Sequence, residues 1–257
     1  MNINERSMSI TGSAPNDPAH ALSFISVFVT LLCLTTGCRR ESPSPTTAAP
    51  HRVSTSAVSS ETPTQRVAKW LFVGDSLTAG YGLSKEEAYV SQLERRLARE
   101  GWHTPDQHEI KLMNAGISGD TSAGALRRID WLLEEDVERV FVCIGANDGL
   151  RGQPIEALRA NLTQIIKRIR ASGAQVVLMG MKLPPNYGPL YTARFAKVYA
   201  EIAQELGVSF LPFLLEGVGG RAEYNQADGI HPNREGQARI ADLVFDFLHT
   251  QNLIKRR

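Results

Sequence analysis

From Ala68 onward the chain alternates five times between a short apolar run and a longer amphipathic stretch. That alternation fixes most of what it can become. The runs are "AKWLFV", "EIKLMNA", "RVFVCIGA", "AQVVLMGM" and "VSFLPF". None carries a helical stripe, and near-continuous apolar runs of this length are the mark of strands covered on both faces. The intervening stretches are "KEEAYVSQLERRLARE", "TSAGALRRIDWLLEE", "PIEALRANLTQIIKRIRAS", "YTARFAKVYAEIAQEL" and "NREGQARIADLVFDFLHTQ". These place apolar residues at helical spacing, as with Tyr89, Leu93 and Leu97. Asp120 or Thr121 can cap the second helix, Pro154 opens the third, and Gly173 and Gly207 stop the third and fourth. Strand and helix in alternation call for a parallel sheet with helices on both faces, a three-layer α/β sandwich. Such open sheets bind ligands beyond the carboxyl ends of their strands. Residues just after each strand are therefore where chemistry is expected.

Crossover handedness prunes the topologies. The expected arrangement is a five-stranded parallel sheet in the flavodoxin-like order 2-1-3-4-5. Three segments that follow strands, and one that precedes the last helix, then stand out. They are Gly74-Asp75-Ser76-Leu77, "NAGISGDTS" (114–122), "GANDGL" (145–150) and "DGIHPN" (228–233). A serine hydroxyl is a weak nucleophile and needs an adjacent base. Of six histidines, His20 lies in an apolar leader and His51 in a Ser/Thr/Pro-rich stretch. His103 and His108 lie in "GWHTPDQHE", expected to be a solvated loop, and His249 lies near a C-terminus expected to fray. His231 alone falls in a loop expected at the same sheet edge as Ser76. Asp228, three residues earlier, is placed to orient its ring and steady the imidazolium. Donors for an oxyanion are the N–H of Ser76, the N–H of Gly119, which no side chain obstructs, and the amide of Asn147. Singly, such residues read as turn formers and caps. Together they supply a full set of parts for acyl transfer.

The four blocks resemble the GDSL, or SGNH, hydrolase superfamily. Its invariant Ser, Gly, Asn and His match Ser76, Gly119, Asn147 and His231 in order. The stretches "GDSLTAGYG", "ISGDTS", "NDGLRG", "LPPNYG" and "DGIHPNREGQ" are similar to its bacterial thioesterase I/lysophospholipase/arylesterase branch. The resemblance spans residues 68–248, with departures only at variable positions such as Gly116 and Ala146. It implies a serine esterase or thioesterase that forms an acyl-enzyme on Ser76 and needs no cofactor. The residues agree, since Gly74-Asp75-Ser76-Leu77-Thr78 lacks the second glycine of a G-x-S-x-G elbow. In that branch the loop after the fourth strand helps line the acyl site. Here that loop is "MKLPPNYGPLY", where Leu183, Pro184 and Tyr187, with Pro185, Pro189 and Leu190, form a mostly apolar wall. The expected substrate is an acyl ester or thioester of medium to long chain. Two other readings stay open. One is a carbohydrate O-deacetylase of the same superfamily, which would want a shorter, more polar pocket. The other is a non-catalytic surface lipoprotein, which would be expected to lose Ser76, Asn147 or His231.

A formal net charge of +1 gives no electrostatic reason to expect nucleic acid. There is no H-E-x-x-H and no paired Cys or His spacing, so no metal site is expected. "GVGGRA", from Gly217, has no strand-to-helix context for a nucleotide and reads as a flexible loop. Cys143 reads as a small buried apolar residue. At the N-terminus, "ALSFISVFVTLLCL" (21–34) is too short to span a bilayer comfortably. With the following "TTGC" it looks like a secretory h-region and cleavage site. Cys38 resembles the lipidated cysteine of bacterial lipoprotein signals, with Leu34 one place further from it than usual. Residues 39–66 are rich in Ser, Thr and Pro without apolar periodicity. They read as a tether with a reach on the order of 30 Å. The expected organisation is a signal peptide (1–38), a tether (39–66) and a hydrolase domain (67–257), exported and anchored to a membrane through lipid on Cys38.

Overall fold

The computed structural model describes residues 66–133 and 136–257. The expected signal peptide, Cys38 and the tether up to residue 65 lie outside them. Val67–Gly74 (β1) leads into the one-turn helix Ser76–Ala79 (α1) and on to Tyr89–Glu100 (α2). Trp102–His103 (β2), Glu109–Gly116 (β3), Ser122–Leu132 (α3), Val137–Cys143 (β4), Ala146–Leu150 (α4) and Ile155–Ala171 (α5) follow. Gln175–Met179 (β5), Pro189–Leu206 (α6), Ser209–Leu211 (β6), Arg234–Thr250 (α7) and Lys255–Arg256 (β7) complete the order. Five strands pair in parallel as β3-β1-β4-β5-β6. Counted along the chain within that sheet, this is the expected 2-1-3-4-5.

The centre of the sheet shows why these runs read as continuous apolar segments. Trp70 and Phe72 of β1 fall on one face by the period of the pleat. There the Phe72 ring stacks on Phe141 of β4 at 4.3 Å between centroids, and Trp70 sits 5.7 Å from the same ring. Tyr89 of α2 meets Phe72 edge-on at 5.9 Å. The alternate residues Leu71 and Val73 are just as buried, so both faces are covered. α2 packs on α7, while α3, α5 and α6 pack in succession, forming the outer layers. Truncating Phe72 to alanine here would cost about 3–5 kcal/mol.

Register sets the site. Gly74 lies opposite Gly116 on one side and Cys143 on the other, so three strands end level and their loops leave side by side. Gly116 must lack a side chain, because a Cβ there would lie 2.3 Å from the Ala79 nitrogen. That clearance lets α1 lie across the end of β3.

Three expectations need correction. The stretch "KEEAYVSQLERRLARE" is not one helix. Lys85–Glu87 is a single 3-10 turn closed by a Ser84–Glu87 capping box, and buried Ala88 is extended before α2 begins. "GWHTPDQHE" is not simply a solvated loop, nor does the C-terminus fray. β2 and β7 pair antiparallel. Trp102 packs edge-on against Phe245 at 5.3 Å, and Ile254 is buried. The apolar surface of those residues anchors two segments too short to show a period. Within the segment from Gly217, Val218 alone is buried and its neighbours are exposed.

Candidate active site

Asp75 turns the chain out of β1. Its Oδ1 accepts the Leu77 N–H at 3.0 Å, which caps α1. Ser76 therefore holds the first helical position, where an N–H has no intrahelical acceptor. Asp75 is 1 % exposed and its Oδ2 makes no hydrogen bond. Burial pushes its carboxyl up to about 6, against the downward pull of the Leu77 N–H and His231.

His231 arrives from the far end of the chain on a braced loop. The Gln226 N–H donates to His231 O at 2.7 Å, and the Gln226 amide donates to Tyr81 O at 2.7 Å. Asn233 caps α7 by accepting the Gly236 N–H at 2.9 Å. Asp228 Oδ1 accepts the N–H groups of Ile230 and His231, each at 3.0 Å, and its Oδ2 lies 2.7 Å from His231 Nδ1. The His231 N–H, then the imidazole and the Ile230 N–H, hold the Asp228 carboxyl down to about 2. With Nδ1 turned to Asp228, Nε2 faces Ser76 Oγ at 2.9 Å. The Tyr81 ring covers the imidazole, with centroids 4.6 Å apart. Buried Gln237 of α7 accepts the Tyr89 N–H at 2.8 Å and donates to Leu77 O at 3.2 Å. The helix that follows His231 is thus bonded to the turn that carries Ser76.

The third part is the turn after β3. Gly119 sits there at φ +80, a left-handed backbone that favours glycine. Asn147 of α4 donates to Asp120 O at 2.9 Å. A side-chain amide has two hydrogens, which leaves one for a further acceptor. The Asp120 carboxylate pairs with Arg128 Nε at 2.9 Å, both partners being largely buried. The same guanidinium donates to Ala115 O at 2.8 Å and Gly74 O at 3.1 Å. Arg128 is therefore a strut between this turn and the ends of β1 and β3. Sequence reasoning missed it, because along the chain it is only one cation on an amphipathic helix.

Ser76, Asn147 and His231 border one cavity of about 800 Å³, with Leu183, Pro184 and Tyr187 among its walls. Gly119 and Asp228 do not line it. Neither do Pro189 and Leu190, and Leu190 stands 75 % exposed at the start of α6. Phe213, Leu215, Gly219 and Gly220 also border the cavity, and sequence reading overlooked them. The spacing of Leu214, Leu215 and Val218 ahead of the glycines was the available signal that these three side chains are buried.

The GDSL-like Lipase/Acylhydrolase family model matches residues 72–239. The chain belongs to that family. Its similarity to esterase TesA of Pseudomonas aeruginosa is 45 % identity over 179 residues, 69 % of this chain and 86 % of that protein. To thioesterase 1/protease 1/lysophospholipase L1 of Escherichia coli K12 it is 40 % over 175 residues, 68 % of this chain and 80 % of that one. Among solved structures, the psychrotrophic esterase EstA from Pseudoalteromonas sp., inhibited by monoethylphosphonate, superposes with a TM-score of 0.66. It is 38 % identical, covering 71 % of this chain and 97 % of that one. This GDSL-like acylhydrolase is accordingly an ester-bond hydrolase with the SGNH fold.

Proposed function

We propose that this acylhydrolase works as a serine esterase and thioesterase on medium- to long-chain acyl substrates. The observation that carries the reading is the Ser76–His231–Asp228 relay, at 2.9 and 2.7 Å, beside a largely apolar cavity of about 800 Å³. Ser76 Oγ attacks the acyl carbon as its proton passes to His231 Nε2. Negative charge moves to the carbonyl oxygen, which the N–H groups of Ser76 and Gly119 and the Asn147 amide receive. The tetrahedral intermediate collapses, and His231 returns the proton to the leaving alkoxide or thiolate. Water repeats the sequence against the acyl-enzyme and releases the carboxylic acid. Asp228 holds the imidazole in the required tautomer and stabilises it while charged. Two backbone N–H groups on Asp228 keep it ionised for that task.

Each CH₂ buried against Leu183, Pro184 and Tyr187 adds up to about 0.8 kcal/mol. A deacetylase would gain nothing from walls of this extent. The test is a graded series of p-nitrophenyl esters and acyl-CoAs, with an acetylated oligosaccharide alongside. kcat/KM should climb over several carbons and then level. A maximum at acetyl would overturn the reading and favour the deacetylase.

The reading extends to location. The apolar leader and "TTGC" support export, with lipid on Cys38 and residues 39–66 as the tether from membrane to enzyme. The full-length protein should partition into detergent, and Cys38→Ser should release it or block processing. A mature wild-type protein lacking Cys38 would mean simple secretion.

A further inference from the structure

We propose that Asp148 is a positioning residue that sets the oxyanion turn, an inference that rests on the reading of Gly119 and Asn147 as oxyanion donors. α4 and Arg151 just after it hold the turn after β3 and the start of α3 at three points. Asn147 donates to Asp120 O at 2.9 Å, and Arg151, one helical turn on, donates to Gly119 O at 3.1 Å. Between them in sequence, Asp148 Oδ2 accepts the Ser122 N–H at 2.8 Å, and its Oδ1 accepts the Ser122 hydroxyl at 2.5 Å. Ser122 opens α3 directly after the turn. Its hydroxyl oxygen also accepts the Asn161 amide at 2.9 Å, so the network reaches α5.

Capping α3 does not require Asp148. Thr121 already serves as the cap, accepting the Gly124 N–H at 3.2 Å. Yet Asp148 is 1 % exposed and Ser122 fully buried, and burying a carboxylate costs several kcal/mol unless donors compensate it. A group so enclosed, with both oxygens committed to one residue, fixes distance rather than merely adding stability. The distance it fixes is that between α4, which carries the Asn147 amide, and the turn that carries the Gly119 N–H. Oxyanion donors act only within about 2.7–3.1 Å of the developing charge. A misplacement of about 1 Å costs on the order of 100-fold in rate. Asp148 thus acts through Asn147 and the turn, without touching substrate.

The test uses Asp148→Asn and Ser122→Ala, since Asp148→Ala leaves two buried donors unpaired and invites unfolding. The asparagine variant keeps the shape but turns an amide NH₂ toward one of the Ser122 donors. On a p-nitrophenyl ester, each variant should lose about 10- to 100-fold in kcat with KM little changed. Combined with Asn147→Ala, Asp148→Asn should cost less than the product of the two single losses. Unchanged kcat per folded molecule in both variants would overturn the proposal, as would losses that multiply. Full kcat in Asn147→Ala itself would instead remove the oxyanion reading, and this inference with it.

Discussion

The two sides of the cavity that Ser76 and His231 border are built by opposite means. On one side, the turns after β1 and β3 and the helix α4 are joined by directional bonds. Asp120–Arg128 and Asn147–Asp120 close at 2.9 Å, and the Ser122 N–H meets Asp148 at 2.8 Å. On the other side, Leu183, Pro184, Phe213 and Leu215 meet the cavity through apolar contact. Hydrogen bonds fix direction, and a donor removed from a buried network leaves its partner unsatisfied. Apolar packing fixes volume and tolerates repacking with modest loss. On the proposed mechanism, chemistry that depends on tenths of an ångström belongs to the first side, and choice among acyl chains to the second. Changes on the polar side should lower kcat across all substrates. Changes on the apolar side should reorder substrates.

Ser76→Ala tests the extreme of the polar side. Activity should fall on the order of 10⁴-fold or more, with a fluorophosphonate probe no longer labelling the protein and Tm nearly unchanged. Labelling on another serine would shift the chemistry elsewhere. Next comes Asn147→Ala, with an expected loss of about 10²–10³ in kcat. Its acyl-length profile should keep the wild-type shape. A change of profile without loss of kcat would place Asn147 with the apolar wall and erase the distinction.

Asp75→Asn separates stability from turnover on the same side. The native carboxyl is pushed up to about 6 from its ordinary 3.8, chiefly by burial. The folded state therefore holds this proton more tightly than the unfolded one. The resulting stabilisation is complete below about pH 4 and is lost as pH rises through 6. Asparagine does not titrate and still offers an oxygen to the Leu77 N–H. The Tm of Asp75→Asn minus that of wild type should rise from pH 4 to 7, by the equivalent of up to about 3 kcal/mol. Asp228, held down to about 2, gives stability that is lost only as pH falls below about 4, so it does not interfere in that range. A difference that stays flat would show that burial does not perturb Asp75.

The same contrast explains what is legible in the sequence. β1 and β4 are readable because both faces are buried, which leaves an unbroken apolar run. His231 is readable because other histidines can be set aside and Asp228 stands one turn away. α4 reads as a turn, since "GANDGL" carries two glycines. Gly149 is there for tertiary reasons, as a Cβ would meet Leu183 at 2.6 Å and Phe195 at 2.7 Å. Arg128 and Asp148 look like ordinary helix and turn charges, because their partners, the Asp120 carboxylate with two carbonyls and Ser122, lie on other elements. Phe213 and Leu215 are hidden by the glycines after them. What stays illegible is pairing across the fold, which leaves no local period.

The smallest expected effect lies on the apolar side and is the sharpest test of its independence. Phe213 is half-buried, borders the cavity, and carries Lys182 Nζ over its ring at 4.6 Å. Lys182 in turn pairs with Glu216 at 3.5 Å on the surface, so losing the ring should move a solvated cation rather than expose a buried one. Phe213→Ala removes wall area without touching the Ser76–His231 bond. Contact with one or two CH₂ groups, at up to about 0.8 kcal/mol each, corresponds to less than about 20-fold in kcat/KM. That loss should appear only for acyl chains long enough to reach the ring, leaving acetyl and propionyl esters at wild-type rates. Measured across the p-nitrophenyl series, the ratio of mutant to wild-type kcat/KM should be flat at short lengths and then bend downward. A uniform drop at every length would mean that the apolar wall also positions the catalytic groups, and the division between the two sides would fail.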